Sequence, residues 1–272
     1  MASITLQKAN FWKRISAWLL DFILLTIVAT GFAVVVSYFT GYDAVTTAYN
    51  EKQTIYEEQY GIDFDITQET YDALSEADKA YFDETYPIAV DAFQKDVETQ
   101  KLTEMLYNLI LIITGISLFF SCLILYFIVP LFFGHGQTLG KKIFGLAVMR
   151  TNCVKASNPV LFIRSMIGLY AMETMFPTML IIMFLFGVLG LAALIVLVLL
   201  LVLEIGVMIG TKTNSSIHDL LTDTVVIDFA SQEIFDTEAD MIARKQQLHE
   251  AEVAQSEYDR IQLPSKEMVD EK

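Results

Sequence analysis

Polar and apolar positions do not alternate along this chain; they separate into blocks. Three stretches, residues 15–39, 105–133 and 165–210, are almost continuously apolar. A helix rises about 1.5 Å per residue and a bilayer core is about 30 Å thick, so roughly 20 apolar residues make one span. Each block reaches that length, and none carries the polar residue at every third or fourth position that marks a soluble amphipathic helix. The first block follows Lys13 and Arg14 as a secretory leader would. It exceeds the roughly 7–15 residues of a leader's apolar region and contains Asp21, which points to a retained anchor. The third block needs a count: Arg164 to Lys212 is 48 steps, about 72 Å as one helix. Two spans fit that length, with Pro177, Gly187 and Gly190 as breaks and the outer turn at 186–190. Were residues 159–176 to lie along the interface instead, one span would remain there and the tail would end on the opposite side.

Charge then orients the blocks. The chain is 54% hydrophobic yet carries a formal charge of −15. Residues 43–104 hold sixteen acidic and four basic side chains, a difference of 12 negative charges. Lys8, Lys13 and Arg14 precede the first block, and Lys141, Lys142, Arg150, Lys155 and Arg164 follow the second. By the positive-inside rule both flanks are expected in the cytoplasm, with the acidic segment outside. That segment reads as folded: Ser75-Glu-Ala-Asp78 resembles a capping box, Thr67 suits another cap, and Pro87 suits a first helical turn. With no breaker between Pro87 and Pro130, the second span is expected to run outward as one helix from about 87, leaning on Tyr49, Ile55 and Tyr56. Such an acidic, aromatic cap reads either as a solvated face or as a cation-gathering vestibule or partner surface.

The cytoplasmic parts are short. Residues 145–151 and 224–228 have strand-like β-branched content, and Ser157-Asn-Pro reads as a helix start. Beyond Ala230 the chain is polar and helix-favouring up to Pro264. The expected fold is an all-α membrane protein of about four transmembrane helices, with a helical extracytoplasmic insertion between the first two and minor cytoplasmic β structure. The segments are 1–40 (amino terminus and first span), 41–104 (insertion), 105–133 (second span), 134–164 (loop), 165–210 (third and fourth spans) and 211–272 (tail). The expected location is the cell membrane, multi-pass, with both termini cytoplasmic.

Candidate chemistry is confined to a few groups. Cys122 and Cys153 make no disulfide framework, and histidines at 135, 218 and 249 make no short-range metal cluster, so neither metal nor cofactor is expected. Ionisable groups inside spans are the strongest functional signal, because each costs several kcal/mol to bury in lipid. Asp21, Glu173 and Glu204 qualify. Asp21 lies seven residues after Arg14, Glu173 nine after Arg164, and Glu204 eight before Lys212, which places all three roughly 10–14 Å along their helices from the basic boundary. They are expected to share a layer. Thr114, Ser117 and Ser121 follow one helix face of the second span, and Tyr126 approaches the carboxylates' depth. Hydroxyls and carboxylates are ligands that a hard cation accepts in place of water. One reading is therefore a cation/proton exchange site centred on Asp21 with Glu173 and Glu204, Ser121 and Tyr126 supporting it. The other is structural pairing of Asp21 with Arg164 or the hydroxyls, with Glu204 snorkelling toward water. Arg14 is too far along the helix from Asp21 for a well-formed pair and is expected to meet lipid phosphate or an acid such as Asp219. The segment Gly134-His-Gly136-Gln-Thr138-Leu-Gly140-Lys141-Lys-Ile-Phe-Gly145 lets backbone approach closely and offers lysines to headgroups. It is not a phosphate-binding loop, since no Ser or Thr follows the lysine pair.

Three motifs in order resemble one family. Lys13-Arg14-Ile-Ser-Ala-Trp-Leu-Leu-Asp21 resembles the opening arginine and mid-helix aspartate of RDD membrane proteins. Gly136-Gln-Thr138-Leu-Gly140-Lys141-Lys-Ile-Phe-Gly145-Leu-Ala-Val resembles their segment after span two. Ser216-Ile-His218-Asp219-Leu-Leu-Thr-Asp-Thr224-Val-Val resembles their terminal His-Asp motif, and Arg164 falls where members often carry an arginine. The resemblance implies Arg14, Asp21 and Asp219 as the family residues and a transport role, sodium/proton antiport being described for some members. Glu173 and Glu204 come from depth alone. Two functional classes follow: a transporter exchanging monovalent cations for protons, or a non-catalytic scaffold or accessory subunit that binds a partner through its acidic hairpin. No hydrolase signature lies in the spans, so enzymatic activity is not expected. The lipid bilayer is the expected partner and nucleic acid is not. Four helices are few to enclose a pathway, which leaves room for a homo-oligomer.

Overall fold

The structure, a computed structural model, describes residues 6–262. Helix α1 (Phe11–Thr40) starts at Asn10, whose side chain accepts the Trp12 N–H, and stops at Gly41 in the left-handed region. The chain resumes as α2 (Tyr42–Tyr60), turns at Gly61, and forms α3 (Gln68–Asp72) capped by Thr67 and α4 (Glu76–Lys95) capped by Ser75. The second span is α5 (Val97–Phe133). A short helix α6 (Leu139–Ile143) and strand β1 (Leu146–Arg150) lead to α7 (Asn158–Leu185) and α8 (Leu191–Gly210). Helix α9 (Ile217–Leu221), strand β2 (Thr224–Asp228) and α10 (Glu238–Gln262) follow.

Helices α1, α5, α7 and α8 are long and apolar enough to cross a bilayer. Most of their apolar residues face outward rather than into the protein, as lipid-facing helices must. The chain is thus an all-α membrane protein with four candidate spans among the described residues. The apolar turn between α7 and α8 works because Gly187 and Gly190 take positive φ values of 70° and 51°. Residues 159–176 belong to the continuous helix α7, so the three-span alternative fails. Lys8 also bridges to Ile227 of β2, which puts the start of α1 and the segment after α8 at one end of the bundle.

One expected element is corrected. The second span does not begin near 87: Pro87 lies inside α4, and the helix break falls at Asp96. The lost N–H of Pro87 does not stop α4, whereas Asp96 takes an extended ψ of 130° and accepts the Glu98 and Thr99 amides. A side-chain acceptor for two orphan amides makes a new helix start more effectively than a proline unmakes an old one. Tyr49 and Tyr56 pack edge-on against Phe93 at 5.6 and 5.4 Å between ring centroids, while Ile55 remains exposed.

At the opposite, basic end, β1 and β2 pair antiparallel about a central couple, Val148 with Val226. One face of this ribbon packs Ala147, Met149, Val225 and Ile227 against Val154, Phe235 and Met241. The other packs Leu146, Val148 and Val226 against Ala9, Ala17 and Leu161, which joins the sheet to the feet of α1 and α7. Each strand completes the same small unit. Thr138 or Ser216 caps a five-residue helix, Gly145 or Asp223 supplies a left-handed residue, and a five-residue strand follows. Each unit comes after two spans.

Pro87→Ala restores a hydrogen bond within α4. We expect it to stabilise the acidic hairpin by about 1–3 kcal/mol, read as a higher midpoint in thermal unfolding followed by circular dichroism. A lower midpoint would mean that contacts of the ring outweigh the missing bond.

Candidate functional site

Asp219 occupies the third position of α9 and closes a capping box with Ser216. Its Oδ1 accepts from Arg164 Nη2 at 2.6 Å and Nε at 3.1 Å. Its Oδ2 accepts from Arg14 Nη2 at 3.3 Å and from the Ser216 hydroxyl at 3.0 Å. Thr224, at the head of β2, donates to Oδ1 at 3.3 Å. The aspartate is fully buried. Burial alone would raise its pKa, but Arg164 first, then His218 when its ring is protonated, and Arg14 hold the carboxyl well below the usual carboxylate range.

The next residue in reach is His218, beside Asp219 in α9. Its backbone N–H donates to Glu173 Oε1 at 2.8 Å, and its Nδ1 lies 2.6 Å from Glu173 Oε2. Its Nε2 lies 2.9 Å from Arg164 Nη2. Because an arginine N–H only donates and a carboxylate only accepts, this pair of neighbours selects the neutral tautomer with its proton on Nδ1. Glu204 of α8 faces Glu173 and the Ile217 backbone amide. Arg164 and Glu173 are nine residues apart, about two and a half α-helical turns, which would place them on opposite faces. The stretch Arg164–Met175 is wound as a π-helix, and its extra residues per turn turn both side chains toward α9. A second π stretch, Leu123–Ile128 in α5, lies alongside, and the Ser165 hydroxyl donates to the Tyr126 carbonyl at 2.6 Å.

Asp21 performs for α6 what Glu173 performs for α9. It is buried, its Oδ1 accepts the Gly140 N–H at 2.8 Å, and its Oδ2 accepts the Thr138 hydroxyl at 2.5 Å. Gly140 and His218 hold the same place in their helices, two positions after the cap. A Cβ at Gly140 would run into the Ala17 carbonyl and the Asp21 carboxyl, so only glycine lets α1 come this close. Lys141 Nζ lies 3.8 Å from Asp21 Oδ2. Burial pushes this lysine down to about 8, with Asp21 pulling the other way.

These groups can be set beside known proteins. Residues 8–223 match the RDD family. The chain belongs to the RDD family. No curated protein and no solved structure matches it.

The three residues implied by the RDD resemblance divide into two arrangements. Arg14 and Asp219 bind each other, whereas Asp21 sits with Thr138, Gly140 and Lys141. The expected exchange site joining Asp21 with Glu173 and Glu204 is therefore corrected: Glu173 and Glu204 face α9, and Asp21 faces α6. The cause is that each carboxylate answers the nearest helix N-terminus, where amides point outward unpaired. Arg164 meets Asp219 and His218 rather than Asp21, and Arg14 meets Asp219. Lys141 is turned to Asp21 instead of outward, while Lys142 lies over the Phe133 ring. Ser121 donates to the Ser117 carbonyl, and Tyr126 packs with Leu25 and Cys122 on the side of Asp21. Gly136 seats its backbone against Val148 and Leu161. Sequence reasoning missed Ser216 and Thr224 as partners of Asp219, although Ser216-x-x-Asp219 has capping-box spacing.

Asp219→Asn would leave the buried Arg164 and the partly buried Arg14 without their counter-charge, a loss of about 3–5 kcal/mol. The ordinary value for the group is 3.8 and the folded value lies lower. Its contribution is thus complete above about pH 4 and is lost as pH falls through the folded value. We expect wild-type unfolding midpoints in detergent to fall more steeply with acid below about pH 4 than those of Asp219→Asn. Equal acid slopes would refute this.

Proposed function

We propose that this protein is a transporter that exchanges a monovalent cation for a proton, with Glu173, Glu204 and His218 as the exchanging groups. The supporting observation is a charge imbalance. Arg14, Arg164 and Lys141 face Asp21, Asp219, Glu173 and Glu204, three cations against four carboxylates. Asp219 has two arginines and Asp21 has Lys141, so the uncompensated charge falls on the pair Glu173 and Glu204. Among the described residues Glu173 has only His218 as ionisable donor, and that residue is charged only if protonated. One proton or one monovalent cation neutralises the group, and each excludes the other because both need the same carboxylate oxygens. Protonation of His218 at Nε2 would set two donors face to face with Arg164 and break the 2.9 Å contact, which couples the proton to the arginine clamp. In this reading the basic end lies in the cytoplasm, following the positive-inside rule, and Asp21 anchors α6 rather than carrying the ion.

A scaffold role is the second reading. It is favoured by the acidic hairpin, which builds its own aromatic cluster around Phe93 beyond the bundle.

The deciding measurement is ion-driven proton flux in reconstituted liposomes. Glu173→Gln should abolish the flux of the wild type while the protein still inserts and keeps its helical spectrum, and deletion of residues 49–97 should spare it. Equal flux from wild type, Glu173→Gln and empty liposomes would end the exchange reading. Function lost in cells on deleting residues 49–97 but kept in Glu173→Gln would favour the scaffold.

A further inference from the structure

A second place for ligand chemistry lies at the acidic end, far along the chain from the buried charges. Phe64, Tyr71, Phe82 and Tyr86 line a cleft of about 290 Å³, with Ile66, Thr67 and Gln68 completing its wall. Phe82 and Tyr86 stack at 5.1 Å between centroids and 28° between planes. Tyr71 meets Phe82 at 68° and Phe64 meets Tyr86 at 83°, so two rings stand across the stacked pair. All four side chains are only half-buried. A closed core would cover them; here part of their surface opens into the cleft.

The surroundings are negative and held by neutral donors. Asp83 accepts the Tyr71 hydroxyl at 2.8 Å, Asp72 accepts Gln68 at 2.8 Å, and Asp65 accepts Gln53 at 2.9 Å. Asp63 accepts the Asp65 backbone N–H at 2.8 Å. The lysines Lys52, Lys79 and Lys95 pair elsewhere, with Asp96 and Glu98, with Glu76 and with Asp91. The hydrogen bond to Asp83, followed by burial and the nearby Asp72 and Glu76, pushes the Tyr71 phenol above its ordinary range.

We propose that this cleft binds a small organic ammonium ion, with its alkylammonium head against the aromatic rings and its charge answered by Asp72 and Asp83, which accept from the lining residues Gln68 and Tyr71. Ring faces carry the negative end of a quadrupole and attract a cation within about 6 Å. Donation from Tyr71 to an ionised Asp83 adds electron density to one ring and strengthens that attraction. Volume narrows the class, since small-molecule sites run from about 300 Å³ upward and this cleft is at that lower bound. A bare inorganic cation would find ring carbons where it needs a shell of oxygens. A neutral apolar molecule would fill the cleft without using Asp72 and Asp83. Only an organic cation uses both.

The test uses the full-length protein in detergent at low ionic strength, with choline and its neutral isostere 3,3-dimethylbutan-1-ol as probes, followed by saturation-transfer NMR and calorimetric titration. Choline should bind about 5-fold or more tightly than the alcohol, within the range of about 2–30-fold that a cation–ring contact supplies. Phe82→Leu and Tyr86→Leu should reduce choline binding toward the level of the alcohol. Asp72→Asn with Asp83→Asn keeps every ring and should weaken choline binding and flatten its salt dependence. If a ring variant loses helical signal, the aspartate pair decides. Equal binding of choline and the alcohol, no binding of either, or choline binding unchanged in the aspartate pair overturns the proposal. So does a lysine-rich peptide that binds this face without competition from choline. Glu173→Gln should leave choline binding unchanged, so failure here and failure of the ion-exchange reading are separable.

Discussion

Asp219 receives guanidinium groups from two spans that lie far apart in the chain, and much of the basic end is positioned by that meeting. Arg14 rises from the foot of α1 and Arg164 from the foot of α7, and both end on one fully buried carboxylate. Two cations brought together out of water repel unless an anion stands between them, so the shared carboxylate is what lets the feet of α1 and α7 meet here. Through Ser216 and Thr224 the same group fixes where α9 begins and where β2 starts. Glu173 then finds the amide and ring of His218 already in place. The spans gain little from apolar contact with one another when lipid is equally apolar, which leaves hydrogen bonds and ion pairs at their feet to define the arrangement.

The two cap–helix–strand units make a local twofold pattern with unequal chemistry. In both, a carboxylate from the preceding odd-numbered span takes the second amide of a one-turn helix: Asp21 at Gly140, and Glu173 at His218. At matching positions stand Gly140 and His218, then Lys141 and Asp219. The first unit presents a cation and a bare backbone, and the second presents an anion and an imidazole. The backbone is repeated while the side chains are complementary, which is how a twofold arrangement acquires an asymmetric centre of charge.

Much of this was legible in the residues because bilayer crossing is governed by length and apolarity alone. The four spans, the turn at Gly187 and Gly190 and the two strands follow from such local rules, while the pairing of the strands does not. The meeting of Arg14 with Asp219 was reachable from charge and depth. The start of α5 was not, since Asp96 is one acid among many and its capping role depends on its own backbone angle. Reading one shared site from the depth of the carboxylates failed for a related reason: depth ignores the direction a side chain faces. The π winding over Arg164–Met175 rotates Glu173 away from where a 3.6-residue period puts it, and nothing in the apolar run marks that change. The organisation of the acidic hairpin around Phe93, Phe64 and Tyr86 depends on contacts between segments that only folding brings together.

The order of the clamp's parts along the chain has a consequence for biosynthesis. Arg14 precedes Asp219 by 205 residues and Arg164 precedes it by 55. A ribosome therefore delivers both arginines before their shared anion exists, and the anion appears only after the last span has been threaded. Until then each guanidinium must stay hydrated at the membrane surface. Assembly of the basic end is consequently a late event, and a nascent chain released before residue 219 lacks the one group that can bring its arginines together.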